Sequence, residues 1–192
     1  MTPNSKARPG DARKSDSTQW LPAERLGQLD VDPRMRPWLI GKGLISLRVK
    51  DACGERYTAR LVEQWTGVLS SELKTCLKIG DSAALFRDVE LCCADQVWVF
   101  VQSVIPDDTL SAHPWLAELG DCSLGEVLVT LSGVERSSYE YAWLRADDPL
   151  SARALRGAEV APPGLWARRS RIVLRGAPLL AQVAFLPSTG RT

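Results

Sequence analysis

The sequence lacks most residue patterns that support metal-dependent, nucleophilic or nucleotide-dependent catalysis. Its 192 residues include one histidine, His113, so a metal site built from several histidines is excluded. A Ser-His-Asp or Cys-His nucleophile system would have to use His113, which lies in a loop-like segment with no sequence signal for a partner. The motifs GxxxxGK[ST] and GxGxxG are both absent, so loops that bind nucleotide phosphates are not indicated.

An excess of charge of either sign is also missing. The formal net charge is +1, from 24 basic and 23 acidic residues. General nucleic-acid or membrane-surface binders show a basic excess, so we expect neither kind of partner. No apolar run approaches the roughly 20 residues of a membrane-spanning helix. One small anionic ligand remains compatible with this balance, because it needs only a few arginines.

Cysteine usage gives no sign of a disulfide framework. The five cysteines are Cys53, Cys76, Cys92, Cys93 and Cys122. Their number is odd, they form no CxxC pair, and the adjacent Cys92 and Cys93 would point to opposite faces of a strand. We therefore expect no disulfide framework and a cytoplasmic location, where thiols stay reduced.

Length and composition suggest one packed domain, which we place at residues 20–192. The chain is 45% hydrophobic and contains seven tryptophans, enough for a substantial core. Residues 1–19 are polar, carry mixed charges and contain no apolar segment of the secretory type. Because this segment cannot bury enough apolar surface to offset its ordering entropy, we predict a disordered tail.

Residue patterns along the domain predict strands interrupted by short helices. Strands are predicted at 45–50, 57–65, 84–94, 97–105 and 138–145, followed by a C-terminal pair. Helices are predicted at 32–40, 71–78, 114–119, 124–131 and 149–157. Only Asp95 and Gln96 separate the two clearest strands, which therefore form an antiparallel hairpin. The order predicts an α+β domain built on a single antiparallel sheet with flanking helices.

The C-terminal segment 164–187 combines four arginines with the pattern of a β-hairpin, whose turn is marked by a glycine and a proline. Strand side chains alternate between faces, so Arg168 shares a face with apolar Ile172. Arg169 and Arg171 lie on the opposite face. Two interpretations stay open: a solvated edge strand kept soluble by its arginines, or the rim of a pocket for an anionic ligand.

Arg87 is the second notable arginine, because it lies within an apolar strand pattern. The residues expected on its face are Leu85, Val89 and Leu91. A charge on an apolar face is costly unless it is paired or binds something. A guanidinium can grip a carboxylate with two hydrogen bonds, which suggests a ligand. Alternatively, Arg87 reaches to the rim of the sheet or pairs with a structural acid.

Several segments share their order and spacing with one enzyme family. They are Trp38-Leu39 with Ile45-Ser46, Phe86–Cys93 with Trp98 and Ser103–Pro106, Leu119-Gly120 with Ser123–Glu126, and Gly164–Pro187. Together they resemble the chorismate lyase (chorismate–pyruvate lyase) family, from about Trp20 to Pro187. The resemblance implies an antiparallel sheet of about six strands with flanking helices and an internal ligand site. It also implies conversion of chorismate to 4-hydroxybenzoate and pyruvate, without metal or organic cofactor.

The resemblance also implies roles for four positions. Arg87 matches the arginine that holds the ring carboxylate, Leu124 a position whose backbone contacts the ligand, and Ile45 an apolar position that lines the pocket. Val183 falls where the family has a glutamate that meets the 4-oxygen of the product. The neighbouring Gln182 points to the opposite face of the strand and is a poor substitute. Arg168, Arg169 and Arg171 are then expected to be mainly structural.

These observations predict a chorismate lyase of ubiquinone biosynthesis, weakened by the absence of the glutamate at position 183. A hydrogen bond to a carboxylate contributes on the order of 1.5–3 kcal/mol, or roughly ten- to a hundredfold in affinity or rate. Arg87 is the expected catalytic residue, and the expected partners are chorismate and 4-hydroxybenzoate. We expect a monomer. The alternative is a non-catalytic protein that binds an aromatic acid such as 4-hydroxybenzoate, which Val183 favours.

Overall fold

One antiparallel sheet of eight strands dominates the computed structural model, which describes residues 18–41, 43–158 and 160–191. The strands are β1 (Leu21–Pro22), β2 (Tyr57–Val68), β3 (Ala83–Cys93), β4 (Gln96–Pro106), β5 (Val134–Arg136), β6 (Glu140–Arg145), β7 (Gly164–Leu174) and β8 (Ala177–Phe185). Their order across the sheet is β1-β6-β7-β8-β4-β3-β2, and β5 pairs with β7 beyond the end of β6. The predicted tail lies outside the described residues except for its last two positions.

The predicted fold class is confirmed. Six strands are long enough to form the body of the sheet, and the count rises to eight through β1 and β5, which have two and three residues. The α-helices of the described residues are α1 (Arg36–Ile40), α2 (Ile45–Cys53), α3 (Ser71–Leu77), α4 (Asp107–Ala112), α5 (Leu124–Leu128) and α6 (Pro149–Ala154). Within the described ranges, none of these helices is long and apolar enough to cross a membrane.

Two hairpins form the centre of the sheet, and the sequence predicted both. β3 and β4 are joined by a turn in which Ala94 adopts a positive φ of 52°. β7 and β8 are joined at Arg175 and Gly176, with φ values of 49° and 88°. In the β7–β8 hairpin the two consecutive turn residues both have a positive φ, which gives a turn whose twist matches that of the flanking strands. Pro178, which was expected to mark the turn, lies within β8.

The predicted strand at 45–50 is wrong, because this segment is the first two turns of α2. Ile45, Leu47 and Val49 alternate as a half-buried strand would, but Leu47 is exposed. The residues that α2 buries are Ile45, Ser46, Val49 and Cys53, which follow helical spacing. Packing of this face against the sheet overrides the weak strand preference of β-branched residues.

The helices divide between the two faces of the sheet. On one face, α1 and α2 pack over a core that includes Val89 and Val183, and α5 packs over Ile172. On the other face, α3 and α6 cover Phe86 and Ala184. The face under α1, α2 and α5 carries Arg87 and Arg168, so each of these charges lies between the sheet and a helical layer.

A disulfide joins Cys53 to Cys93, which contradicts the expectation that the cysteines stay unpaired. Cys53 ends α2 and Cys93 ends β3, and packing of α2 on the sheet brings their Cα atoms to 5.5 Å. This distance is typical of disulfides. The pair is separated by 40 residues along the chain, so no local spacing could have indicated it. Cys92, on the opposite side of the strand, is a free buried thiol.

Candidate active site

A cavity lies between the sheet and the N-terminal ends of α2 and α5. It contains about 470 Å³ of space between atoms, the open solvent at its mouth included. Strands β4, β8 and β7 form its floor, and the segments that begin α2 and α5 form its walls. The lining residues are Gly43, Leu44, Ile45, Ser46, Val101, Ser103, Ser123, Leu124, Gly125, Arg136, Tyr139, Arg168, Ser170, Ile172, Ala181 and Val183.

Three of the four predicted site residues line this cavity. Ile45 is the first residue of α2 and Leu124 the first residue of α5, and both are buried. Val183 lies in the floor, in register with Val101 on β4 and Arg168 on β7. The structure thus brings together residues that are far apart in the sequence, as the resemblance implied.

Arg87, the fourth predicted residue, lies beside the cavity and not in its described lining. Its strand partner Ser103 lines the floor, so Arg87 stands one strand further toward the edge. The side chain is completely buried, and Nη2 donates to the carbonyl oxygens of Gly120 and, at 2.7 Å, Cys122. Nε and Nη1 are buried and find no hydrogen-bond partner within the described ranges. Burial lowers the pKa of Arg87 below its usual value.

Two other arginines line the cavity, and no acidic side chain is among its described lining residues. Arg168 is 2% exposed, and its Nη1 donates to the carbonyl oxygens of Leu39, at 3.1 Å, and Gly41, at 2.8 Å. Its guanidinium carbon lies 4.4 Å from the centre of the Tyr139 ring. Nε of Arg168 is buried without a hydrogen-bond partner in the described part of the chain. Burial lowers the pKa of Arg168.

Arg136 is the exposed counterpart of Arg168 at the cavity. Its Nη1 donates to Ser170 Oγ at 2.7 Å, and its guanidinium carbon lies 5.8 Å from the centre of the Tyr139 ring. Arg136 and Arg168 therefore both lie close to the ring of Tyr139. The cavity is a positively charged, partly apolar pocket, which suits an anion that carries a ring.

Sequence reasoning missed the place of Arg168 at the cavity, although the alternation of β7 gave the signal. The residues assigned with it to one face are Trp166, Ser170, Ile172 and Leu174, and two of these also line the cavity. Arg169 and Arg171 lie on the other face, where Arg169 bonds Glu72 and Glu140 and Arg171 donates to the carbonyl oxygen of Leu77. The alternation separated the faces, but it did not show which face would be covered to form a site.

Neither Glu126 nor Glu63 takes the place of the glutamate that the resemblance implies at position 183. Glu126 accepts a hydrogen bond from the hydroxyl of Tyr57 at 3.0 Å. Glu63 pairs with Arg153 and Arg156 away from the cavity. Gln182 lies on the face opposite Val183, as predicted, and donates to Gln102 at 3.1 Å. Among the residues that the structure describes, no group of three or more His, Cys, Asp or Glu side chains is placed to hold a metal ion.

Solved structures with a similar fold include an effector domain and the C-terminal domain of a repressor. The effector domain of PhnF from Mycobacterium smegmatis aligns with a TM-score of 0.55 at 15% identity, over 78% of this chain and 91% of that domain. The C-terminal domain of the histidine utilization repressor from Pseudomonas syringae aligns with a TM-score of 0.53 at 12% identity, over 71% of this chain and 96% of that domain. Identities this low show a shared fold alone.

Similarity in sequence identifies a family. The "Probable chorismate pyruvate-lyase" of Nitrosospira multiformis is 35% identical over 173 residues, covering 89% of this chain and 94% of the relative. The protein of the same name from Methylococcus capsulatus is 33% identical over 156 residues, covering 80% of this chain and 95% of the relative. The family described as "Chorismate lyase" matches residues 15–191. The chain therefore belongs to the chorismate lyase family.

Proposed function

We propose that the protein is a chorismate pyruvate-lyase that converts chorismate to 4-hydroxybenzoate and pyruvate. The observation that carries this proposal is the covered, positively charged cavity, in which Ile45, Leu124 and Val183 meet as the family resemblance implies. We further propose that 4-hydroxybenzoate enters ubiquinone biosynthesis and that the enzyme acts as a monomer in the cytoplasm. Reducing conditions there would open the Cys53–Cys93 disulfide.

The reaction needs positioning more than a strong base. The bond between ring C3 and the side-chain oxygen breaks, while the neighbouring C4 keeps its hydroxyl and loses its proton. The released enolpyruvate takes up a proton to become pyruvate. Because the ring becomes aromatic, holding the dianionic substrate in a reactive geometry supplies much of the acceleration. Arg87 Nε and Nη1 have no hydrogen-bond partner among the described residues. In this proposal they donate hydrogen bonds to the ring carboxylate of chorismate.

The walls of the cavity have a separate role in this proposal. Ile45 and Leu124 pack against the ring and exclude water from it, since both begin helices that cover the sheet. Exclusion of water strengthens the interactions between the arginines and the carboxylates. Val183 cannot accept a hydrogen bond, so we expect weaker catalysis than a carboxylate at this position would give.

The test is production of 4-hydroxybenzoate from chorismate by the purified chain, followed by chromatography. The rate should exceed the spontaneous rate of a sample without enzyme and should scale with protein concentration. Product formation indistinguishable from the spontaneous rate at high protein concentration would overturn the proposal.

A second candidate function is binding of an aromatic acid without turnover. Val183 favours it, because a valine lines the cavity where the resemblance implies a glutamate. The effector domain of PhnF shares the fold, which shows that this scaffold occurs in proteins other than lyases. Calorimetry that detects tight binding of 4-hydroxybenzoate, alongside no product from chorismate, would select this candidate.

A further inference from the structure

We propose that Arg168, assisted by Arg136, binds a second acidic group of the ligand, so that the pocket selects dianions over monoanions. This inference rests on the proposed function, because it states which part of chorismate meets which part of the cavity. Arg87 takes the ring carboxylate, and Arg168 takes the carboxylate of the enolpyruvyl side chain. Arg168 would then be a specificity-determining residue.

The position of Arg168 carries the first step. It is in register with Val183 across the β7–β8 hairpin, and both side chains line the cavity. The part of the ligand that reaches Val183 therefore also reaches a buried guanidinium. A cation at that point attracts an anionic substituent more strongly than a neutral hydroxyl.

Arg168 also has a buried N–H donor, Nε, without a hydrogen-bond partner among the described residues. A buried charge is costly unless it is paired, and no carboxylate in the described ranges pairs with this guanidinium. The carbonyl oxygens of Leu39 and Gly41 occupy Nη1, while the buried Nε meets no acceptor among the described residues. Ser46 Oγ, also at the cavity, is buried without a partner in the same part of the structure. A ligand carboxylate would satisfy these donors.

The spacing of the two arginines carries the third step. Arg87 is on β3 and Arg168 on β7, three strand intervals apart in the order β3-β4-β8-β7. Neighbouring strands are about 4.8 Å apart, so the two backbones are separated by roughly 14 Å. Both side chains rise from the same face. One ring that carries two acidic groups can therefore present one group to each arginine.

A consequence follows for the product. Cleavage leaves one carboxylate on 4-hydroxybenzoate and one on pyruvate, so neither product engages both arginines. The charge-assisted bond at Arg168 is lost from the aromatic product, which lowers its affinity by roughly ten- to a hundredfold relative to a dianion. The pocket should therefore release 4-hydroxybenzoate readily.

Calorimetry with unreactive ligands tests the inference independently of turnover. The full chain is titrated with benzoate, 4-hydroxybenzoate and terephthalate. The second carboxylate of terephthalate occupies the 4-position, which Val183 and Arg168 face when Arg87 holds the first carboxylate. We expect terephthalate to bind at least tenfold more tightly than benzoate. Terephthalate that binds no better than benzoate, or does not bind, overturns the inference even if lyase activity is present. A preference for terephthalate in a protein without lyase activity supports it and refutes only the proposed function.

Variants identify the residue responsible. Arg168→Met should abolish the preference for terephthalate, and Arg168→Lys should retain part of it, since the charge stays. Because Arg168 is buried, its replacement can prevent folding. The exposed Arg136→Met therefore provides a second test and should reduce the preference severalfold. Arg145→Met, an exposed arginine paired with Asp147, is the control. An unchanged preference in Arg136→Met and in every folded Arg168 variant overturns the assignment.

Discussion

Arg168 and Val183 face each other across the β7–β8 hairpin, and both line the cavity between the sheet and helices α2 and α5. A buried cation therefore stands beside an apolar side chain where an acid was expected from the resemblance. Because no carboxylate is found in the described lining, the charge of Arg168 is not neutralised there and the pocket is positively charged. It also makes position 183 a point at which one substitution changes the charge that the ligand meets.

Substitution of Val183 by glutamate should reverse the ligand preference of the pocket. The new carboxylate would accept a hydrogen bond from the hydroxyl of 4-hydroxybenzoate and would neutralise Arg168. We expect 4-hydroxybenzoate to bind roughly ten- to a hundredfold more tightly, and terephthalate more weakly. Calorimetry and product inhibition of the lyase reaction measure both effects. Val183→Gln is the control, because glutamine is similar in size to glutamate but carries no charge. If Val183→Gln weakened terephthalate binding as much as Val183→Glu does, the electrostatic explanation would be contradicted.

Replacement of Arg87 by methionine should remove most binding of the ring carboxylate. Loss of a charge-assisted interaction costs about 3 kcal/mol, which corresponds to roughly a hundredfold in kcat/KM for chorismate. Arg60→Met is the matched control on the neighbouring strand, since Arg60 is exposed and pairs with Glu90. Thermal unfolding should accompany the assay, because Arg87 also donates to the carbonyl oxygens of Gly120 and Cys122. A folded Arg87→Met protein with unchanged kcat/KM would contradict the proposed role.

The central hairpins and the opposite orientations of Val183 and Gln182 could be predicted from the sequence because they depend on local information. A strand period of two and a short turn define β3 with β4, and alternation places Val183 and Gln182 on opposite faces. The same reasoning gave a wrong prediction for residues 45–50. Over so few positions, the apolar residues fit both the strand period of two and the helical period of 3.6. Only contact with the sheet, through Val49 and Cys53, decides in favour of a helix.

Arg168 and Cys53 show what local patterns cannot supply. Alternation separated Arg168 from Arg169, but the cavity exists because α2 and α5 cover one face, and that is a property of the whole chain. Cys53 and Cys93 are likewise joined only after α2 packs beside β3. Long-range packing therefore determined both the place of Arg168 at the cavity and the disulfide, and composition had indicated neither.

The Cys53–Cys93 disulfide should make stability depend on redox conditions. Closing a loop of this length restricts the unfolded chain and contributes about 4 kcal/mol to the free energy of unfolding. We expect a thiol reductant to lower the urea midpoint of the protein and to have no such effect on the Cys53→Ser, Cys93→Ser double variant. Cys76→Ser, which removes a free cysteine, should respond to reductant as the unmodified protein does. Equal midpoints with and without reductant would contradict this expectation.

Asp88 should make stability depend on pH through its burial on the face opposite the cavity. Its carboxylate accepts hydrogen bonds from Gln102 at 2.9 Å and Arg153 at 2.5 Å, but burial outweighs them and raises the pKa of Asp88. The folded protein thus keeps this proton at a pH where the unfolded chain has lost it. The stabilising contribution is complete below the unfolded pKa of about 3.9 and is lost as pH rises through the folded pKa.

Asp88→Asn should therefore gain stability relative to the unmodified protein as pH rises from about 4 toward 7, because asparagine has no proton to lose. Urea unfolding at several pH values measures the difference between the two free energies of unfolding. Asp51→Asn, at an exposed position of α2, is the control for a change of net charge. A difference that moves in the opposite direction would show that the bond to Arg153 outweighs burial. The carboxylate of Asp88 would then favour the folded state at neutral pH.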